Sequence, residues 1–337
     1  MLLLPTFVLR LAATGLLLLA RLFPPFDAAT FHLLLRWDAL HFAHIARRGY
    51  VYEHEWAFLP GLPFLLSLSP LAPTLLSLVI AYDASSTMYR LSPHHLGSPV
   101  LARLTTMLAL LPSSPVTLFL APYSEPFFTY LSYKGMLYCA ESRYSAAAVA
   151  FTLAATFRSN GFLLSGFLIW GLLVQPFLRR KPVRAFRLQM YPSRTVLLSA
   201  LPFVPFIAHN YAAYLAFCSA TDAPEWCARR LPLIYSFVQV RYWNNGFLRY
   251  WSLQQLPNFL IAAPPLLAIS TFSIHHLRHW LKSPADPGRA FLSASIAPHA
   301  IHALFRHPSL RVPHPDRPPV LWGAISILLW GAFLPPA

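Results

Sequence analysis

Charge is what this sequence has least of. Only 11% of its 337 residues are Asp, Glu, Lys or Arg, while 56% are hydrophobic; a soluble globular domain carries about 25% charged residues. A soluble fold of this length needs a charged skin even around a large core, so the shortfall excludes an ordinary soluble domain. Length alone would allow about two soluble domains, but apolar runs recur from end to end, and one membrane-embedded body is the better reading. Acid is scarcer than base, 11 residues against 26. The basic residues cluster between apolar spans, which is the pattern of cytoplasmic loops and not of a nucleic-acid-reading face, so a nucleic-acid partner is excluded. Cysteine is scarce too. Cys139, Cys218 and Cys227 form neither a disulfide scaffold nor a zinc site with its ligand spacing. Cys218 and Cys227 bracket one loop, and two readings stand equal there: a disulfide if the loop faces an oxidising compartment, or two unrelated thiols. Glycine is rare beside proline, 12 against 33, which points to broken or kinked helices of the kind membranes tolerate where neighbours or cavities satisfy the freed backbone.

The apolar runs that are present divide the chain. Residues 1–23 are interrupted only by Arg10 and Arg21. The first nine residues carry no basic side chain and no small-residue cleavage site follows, so the reading is an uncleaved first span and not a signal peptide. Further spans are expected over 59–82, 101–121, 195–217 and 257–274, with a short last one over 320–334. Arg179, Arg180, Lys181, Arg184, Arg187 and Arg194 fall together without an acid, which marks 176–194 as a cytoplasmic loop. Parity then makes the hydrophilic connector 83–100 cytoplasmic and places 24–58 and 218–256 outside, as two lumenal or extracellular loops. The stretch 122–175 must cross an odd number of times, and three short crossings are preferred because they return Arg158 to the outer side. The basic, His- and Pro-rich tract 275–317 reads as an atypical cytoplasmic segment. Asp27, Asp38, Glu53, Glu55, Glu125, Asp222 and Glu225 all fall in or beside the outer loops, so acid chemistry faces outward and arginine inward.

The first outer loop carries the densest chemistry. Trp37 and Asp38 place an aromatic ring and a carboxylate at the membrane boundary, followed by His41, His44 and Glu53. Trp37 alone is explained by the aromatic belt. A carboxylate at that depth is expensive unless used or paired, and two readings stand: an ion pair with Arg36 or Arg47, or a general base that takes a proton from an acceptor hydroxyl. No general acid is needed if the leaving group is a phosphate, whose developing charge nearby Arg and His would offset. The second constellation is Glu125, in Tyr123-Ser124-Glu125-Pro126, with Arg158-Ser159-Asn160-Gly161 one hydrophobic segment later. Arg158 is either a functional arginine or an interfacial anchor, and Glu125 either touches substrate or favours a helix start. The third is Gln239, Tyr242, Trp243, Asn244 and Asn245. An aromatic belt explains these rings but not the amides, which suit a sugar or a lipid headgroup.

At these stretches the sequence resembles the PIG-V-like family of GT-C glycosyltransferases, the GPI mannosyltransferase 2 family. The matching strings are RWDALHFAHIARRGYVYEHEWAFLPG, APYSEPFF with the later FRSNGF, and PLIYSFVQVRYWNNGFLRYW with QQLPNFLIAAP. They stand in the family's order and cover roughly residues 30–265; the charged, Pro-rich 283–319 and the connector 83–100 depart from it. The resemblance implies an all-α polytopic membrane protein over 1–337, a GT-C-like bundle of about 8 transmembrane helices with catalytic lumenal loops. It implies an endoplasmic-reticulum enzyme with its active site facing the lumen, which adds the second mannose of the glycosylphosphatidylinositol precursor in α-1,6 linkage from dolichyl-phosphate mannose, with inversion. Asp38 would be the catalytic base, and Arg36, Trp37, His41, His44, Glu53, Glu125, Arg158, Asn160, Gln239, Tyr242, Trp243 and Asn244 would contact donor or acceptor. No metal ligands and no certain cofactor are implied. The partners would be dolichyl-phosphate mannose, the GPI precursor glycolipid and membrane lipids, with room for an accessory membrane subunit. Rival readings are a multi-pass transporter, in which broken helices line a path, a GT-C transferase with another acceptor, or an inactive homologue.

Overall fold

The computed structural model describes residues 3–20, 38–110, 122–175, 192–219 and 223–244, with scattered positions between 253 and 274. Among the described residues every regular element is helical. We number the helices α1 (Leu3–Ala20), α2 (Asp38–Arg48), α3 (Gly61–Leu68), α4 (Ala72–Leu96), α5 (Pro99–Ala109), α6 (Glu125–Ala140), α7 (Tyr144–Ala155), α8 (Ser165–Ile169), α9 (Pro192–Ala200), α10 (Val204–Phe217) and α11 (Ile234–Arg241). Short 3-10 turns at Glu53–Ala57, Ser159–Leu164, Leu201–Phe203 and Glu225–Ala228 join them.

Proline sets several of the boundaries. Pro70 forces Ser69 into extended backbone (φ −166°, ψ 142°), Pro73 starts α4 one turn later, and α3 and α4 meet at a bend of 113°. The expected single span over 59–82 is therefore a broken one. α4 also runs on through Asp83 to Leu96, so most of the connector 83–100 is helix. It ends on Gly97 in the left-handed region (φ 65°), and Ser98 caps α5 by accepting a bond from the Leu101 N–H at 3.4 Å. Arg10, which interrupts the first apolar run, lies inside α1 and donates to the Ser77 carbonyl of α4 at 3.2 Å.

The run 122–175 folds as three helical pieces, each shorter than a usual span of about 20 residues: α6, α7, and the segment Ser159–Val174, in which α8 passes into a π turn over Trp170–Val174. Ser142, at φ 60°, turns α6 into α7. The two helices pack closely because Gly135 faces the fully buried Phe151 ring and because α7 presents Ala147, Ala148 and Ala154 to the core. Phe128, Leu164, Leu168 and Leu198 complete this core. The residues Ser193–Phe217, spanning α9 and α10, are long and apolar enough to cross a membrane, in line with the span expected over 195–217; the bent pair α3–α4 meets the same test if taken as one span. Among the described residues one helical stretch passes this test, or two if the bent pair is one span, against the about 8 spans expected. Residues 111–121 of the span expected over 101–121, the span expected over 320–334, most of the loop 176–194 and the tract 275–317 lie outside the described residues.

Charge separates the two ends. At one end Arg90 of α4 pairs with Glu141 at 2.8 Å, Arg143 follows, and Arg194 donates to Ser145 at 3.2 Å. At the other end lie Asp38, Glu53, Glu55, Glu125 and Arg158. Between them Asp83, with Lys134 at 2.7 Å and the Tyr130 hydroxyl at 2.7 Å, ties α4 to α6.

Candidate active site

The acidic end is assembled from segments far apart in sequence. Asp38 is the first described residue of α2, where a carboxylate suits the positive end of the helix dipole, while Arg47 and Arg48 close the last turn. Ala39, Phe42 and Ile45 bury α2 against α3 and Phe127, which points Asp38 towards the start of α6. Pro126 in the first turn of α6 fixes that start, and Glu125 stands at its first position. Its carboxylate forms a close ion pair with Arg158. Arg158 itself lies where the chain leaves α7 in extended form (φ −143°, ψ 138°). That exit is held in place by the Gly61 N–H, which donates to the Thr156 carbonyl at 2.8 Å, and by Phe157, which stacks on Phe127 with ring centroids 5.1 Å apart. Gly61 is required there because a β-carbon would stand 2.8 Å from the Thr156 oxygen.

These three charged groups feel one another. Asp38 keeps an accessible surface, yet protein flanks it on most sides. Burial raises its pKa above the ordinary carboxylate value, the Glu125 charge adds to the rise, and Arg158 offsets part of it. Tyr123 faces the same carboxylates, and burial together with Asp38 and Glu125 pushes its phenol up to about 12. One residue beyond Arg158, the Ser159 hydroxyl donates to the Tyr235 oxygen at 2.8 Å. Tyr235 also bonds the Gln239 side chain, and its backbone N–H donates to Asn210 Oδ1 of α10 at 3.2 Å. The second large loop is thereby tied directly to the Arg158 segment.

The first loop packs against the second as well. Glu53 accepts bonds from the Trp226 indole N–H at 2.9 Å and the Tyr242 hydroxyl at 3.2 Å. Glu55, 1% exposed, accepts the Val51 and Tyr52 N–H groups at 2.8 and 3.0 Å and pairs closely with His44. A disulfide joins Cys218 to Cys227, which decides between the two readings the sequence left open. Rings fill the space between: His41 stacks on Phe58 at 5.1 Å and meets His54 at 5.2 Å, and His54 meets Tyr242 at 5.6 Å. Burial and the neighbouring histidines His54 and His44 lower the pKa of His41, with Glu55 acting against them. Among the described residues no group of three His, Cys, Asp or Glu is placed to hold a metal ion.

The predicted residues sort by this geometry. Asp38, Glu125 and Arg158 come together, and Asn160 and Gln239 lie in the segments bonded to them. Glu53 and His44 are engaged in holding the loops, Trp243 packs against Phe58 at 5.8 Å, and Asn244 adopts φ 50° where α11 ends, a conformation asparagine tolerates better than most residues. Arg36 and Trp37 lie outside the described residues. Tyr123, Ser159, Tyr235 and Glu55 stood in the quoted stretches without an assigned role, and Asn210 was not named. Of these, Asn210, an amide within an apolar run, carried the one usable signal.

Comparison with known proteins identifies the family. The family model described as "Mannosyltransferase (PIG-V)" matches residues 26–283. The chain belongs to this family. The match runs past residue 265, where the resemblance of the quoted strings ended. The chain is 33% identical to GPI alpha-1,6-mannosyltransferase 2 of Mus musculus, over 80% of this chain and 66% of the relative. It is 32% identical to the Homo sapiens protein of that name over the same shares, and 33% identical to GPI mannosyltransferase 2 of Aspergillus oryzae over 83% of this chain and 68% of the relative. It thus spans just under two thirds of the length of its mammalian relatives. No solved structure matches.

Proposed function

We propose that this chain is the α-1,6-mannosyltransferase of the endoplasmic-reticulum membrane that moves mannose from dolichyl-phosphate mannose to the first mannose of the glycosylphosphatidylinositol precursor. The observation that carries the reading is the convergence of Asp38, Glu125 and Arg158 from α2, α6 and the exit of α7 in a member of the PIG-V family. In this reading the bundle is GT-C-like and crosses the membrane about 8 times, with the acidic end in the lumen. The Cys218–Cys227 disulfide supports that side, since disulfides persist in oxidising compartments. The arginines at the opposite end fit the cytoplasm.

Asp38 takes the proton from the acceptor hydroxyl as that oxygen attacks the anomeric carbon. The new carbon–oxygen bond forms on the face opposite the phosphate, and the bond to the phosphate oxygen breaks with its electron pair staying on the phosphate. One displacement converts the β-linked donor into an α product. Burial serves Asp38 here, because a raised pKa makes it a stronger base than an exposed aspartate. Arg158 receives the charge that grows on the leaving phosphate, exchanging Glu125 for it. The second loop, held to the Arg158 segment through Tyr235, closes over the acceptor.

The test is complementation of cells lacking the second GPI mannosyltransferase. Wild type restores surface GPI-anchored proteins, and a normally expressed Asp38→Ala variant does not. Equal rescue by both removes Asp38 from the base role, and no rescue by wild type overturns the assignment of activity.

A further inference from the structure

Arg158 lies in extended backbone between α7 and a 3-10 turn, so its direction is set by what holds the chain on either side of it. On one side the first loop does so, through the Gly61 N–H on the Thr156 carbonyl at 2.8 Å and the Phe127 ring on Phe157. On the other side the chain turns back at once. The Gly161 N–H donates to the Arg158 carbonyl at 3.0 Å, and a β-carbon on Gly161 would stand 2.4 Å from Ala155 Cα, so the turn lies directly against the end of α7. There the second loop takes hold: the Ser159 hydroxyl donates to the Tyr235 oxygen at 2.8 Å, across 76 positions of sequence. Tyr235 is itself anchored. Its N–H donates to Asn210 Oδ1 at 3.2 Å, and Asn210 Nδ2 donates to the Phe206 carbonyl one turn earlier in α10 at 2.9 Å. The Phe206 ring meets the Tyr235 ring edge-on at 5.5 Å, and Gln239, one turn on in α11, bonds the phenol oxygen.

We propose that Tyr235 is a positioning residue for the transfer: its hydroxyl, anchored by α10 and Gln239, fixes Ser159 and so sets the direction in which Arg158 presents its guanidinium to the leaving phosphate. The assignment rests on the proposed function. Packing alone would not call for a hydroxyl here, because the Phe206 ring, which also meets Phe162 of the same turn at 5.5 Å, already joins α10 to that segment. Burying a phenol oxygen is costly unless it is bonded, and here the bond goes to the residue next to the arginine. A hydrogen bond also fixes direction more narrowly than ring contact does. That precision matters to the chemistry, since a displacement of about 1 Å can cost 100-fold in rate. Arg158 therefore stands between Gly61 of the first loop and Tyr235 of the second, and both loops set where the phosphate charge is met. Gln239 acquires a role by the same geometry: its amide orients the phenol.

The test removes each side of the Ser159–Tyr235 bond and follows the reaction across pH. Full-length protein in membranes is assayed with dolichyl-phosphate mannose and the singly mannosylated GPI precursor. Tyr235→Phe deletes the hydroxyl and keeps the ring, and Ser159→Ala deletes its partner. Each should lower kcat and kcat/KM together by about 10-fold, the size of one hydrogen bond expressed in the transition state, with KM unchanged. Each should also move the acid limb of kcat/KM to higher pH. Arg158 holds the Asp38 pKa down against burial and the Glu125 charge; once the guanidinium is misdirected, Asp38 keeps its proton to a higher pH. Lost stability alone moves no limb, and Gly135→Ala, which loosens α6 against α7 away from Arg158, supplies that control. The double variant should be no slower than the slower single one, within about twofold. A normal rate in Tyr235→Phe, a slowed rate with an unmoved acid limb, or losses that multiply in the double variant overturns the assignment. Should Tyr235→Phe fail to accumulate, Ser159→Ala decides by the same rate and limb. A wild type that transfers no mannose refutes the mannosyltransferase reading itself.

Discussion

Removing the Glu55 carboxylate separates a structural role from a chemical one in the first loop. Glu55 accepts the Val51 and Tyr52 N–H groups and the His44 ring. Bonds to a charged acceptor contribute about 1.5 kcal/mol or more each, so three of them sum to roughly 4–5 kcal/mol. Val51 and Tyr52 are about half exposed, so water replaces part of that loss in a Glu55→Ala variant, leaving about 3 kcal/mol. For a chain of this size that corresponds to a fall in melting temperature of roughly 4 °C. Glu55→Gln keeps an oxygen for the N–H pair and should lose about 1 kcal/mol. The assay is thermal unfolding of the detergent-purified protein by intrinsic tryptophan fluorescence, with His44→Ala and the double variant completing a cycle. His44 and Glu55 should couple by about 1 kcal/mol or more. An unchanged melting temperature in Glu55→Ala together with abolished transfer would refute the reasoning, because the carboxylate would then act on substrate and not on the loop.

Three further outcomes follow from the same geometry. Cys218→Ser opens a closed loop with a sequence separation of 9 and should cost about 2.5 kcal/mol, read as a lower melting temperature that reductant reproduces in wild type. Gly135→Ala drives a methyl group into the fully buried Phe151 ring and should destabilise α6 against α7 by about 1–3 kcal/mol, measured by the same thermal assay. Asp38 must be ionised to act as a base, and its pKa is raised by burial and by Glu125; activity should therefore fail on acidification at a higher pH than an ordinary aspartate predicts. Glu125→Gln should move that acid limb of kcat/KM to lower pH, and a shift to higher pH or none at all argues against the coupling.

The sequence made the site more legible than the framework beneath it. Asp38, Glu125 and Arg158 were recognisable singly because charge at the edge of an apolar run is costly and therefore conspicuous. Their convergence was not, since nothing in local pattern says that the Gly61 N–H will bond the Thr156 carbonyl and bring the exit of α7 to the first loop. Glu53 and His44 looked like ligand-binding groups for the same reason that Asp38 did, yet they hold the loops together through Trp226, Tyr242 and Glu55. Polarity reveals that a side chain has a partner, but not whether the partner is protein or substrate. Tyr235 was hidden for the opposite reason: a tyrosine beside a membrane boundary is expected from the aromatic belt, and only its bonds to Ser159 and Asn210 mark it out. Among the boundaries, the break at Ser69 was coded in Pro70 and Pro73 but outweighed by an apolar run long enough to read as one span.

The same framework bears on the choice between an enzyme and a transporter. A transport path needs polar groups through the middle of the bundle and helices able to part there. Here α7 faces α6 and Ser159–Val174 with Ala147, Ala148, Phe151 and Ala154, all fully buried, and Gly135 lets the Phe151 ring close the gap. Between the two ends, Asp83 is neutralised by Lys134 and bonded to Tyr130, which ties α4 to α6, and Arg10 of α1 is bonded to the Ser77 carbonyl of α4. A bundle packed this way in its middle, with Asp38, Glu125 and Arg158 gathered at one end, suits the proposed transfer at one surface better than passage through the centre.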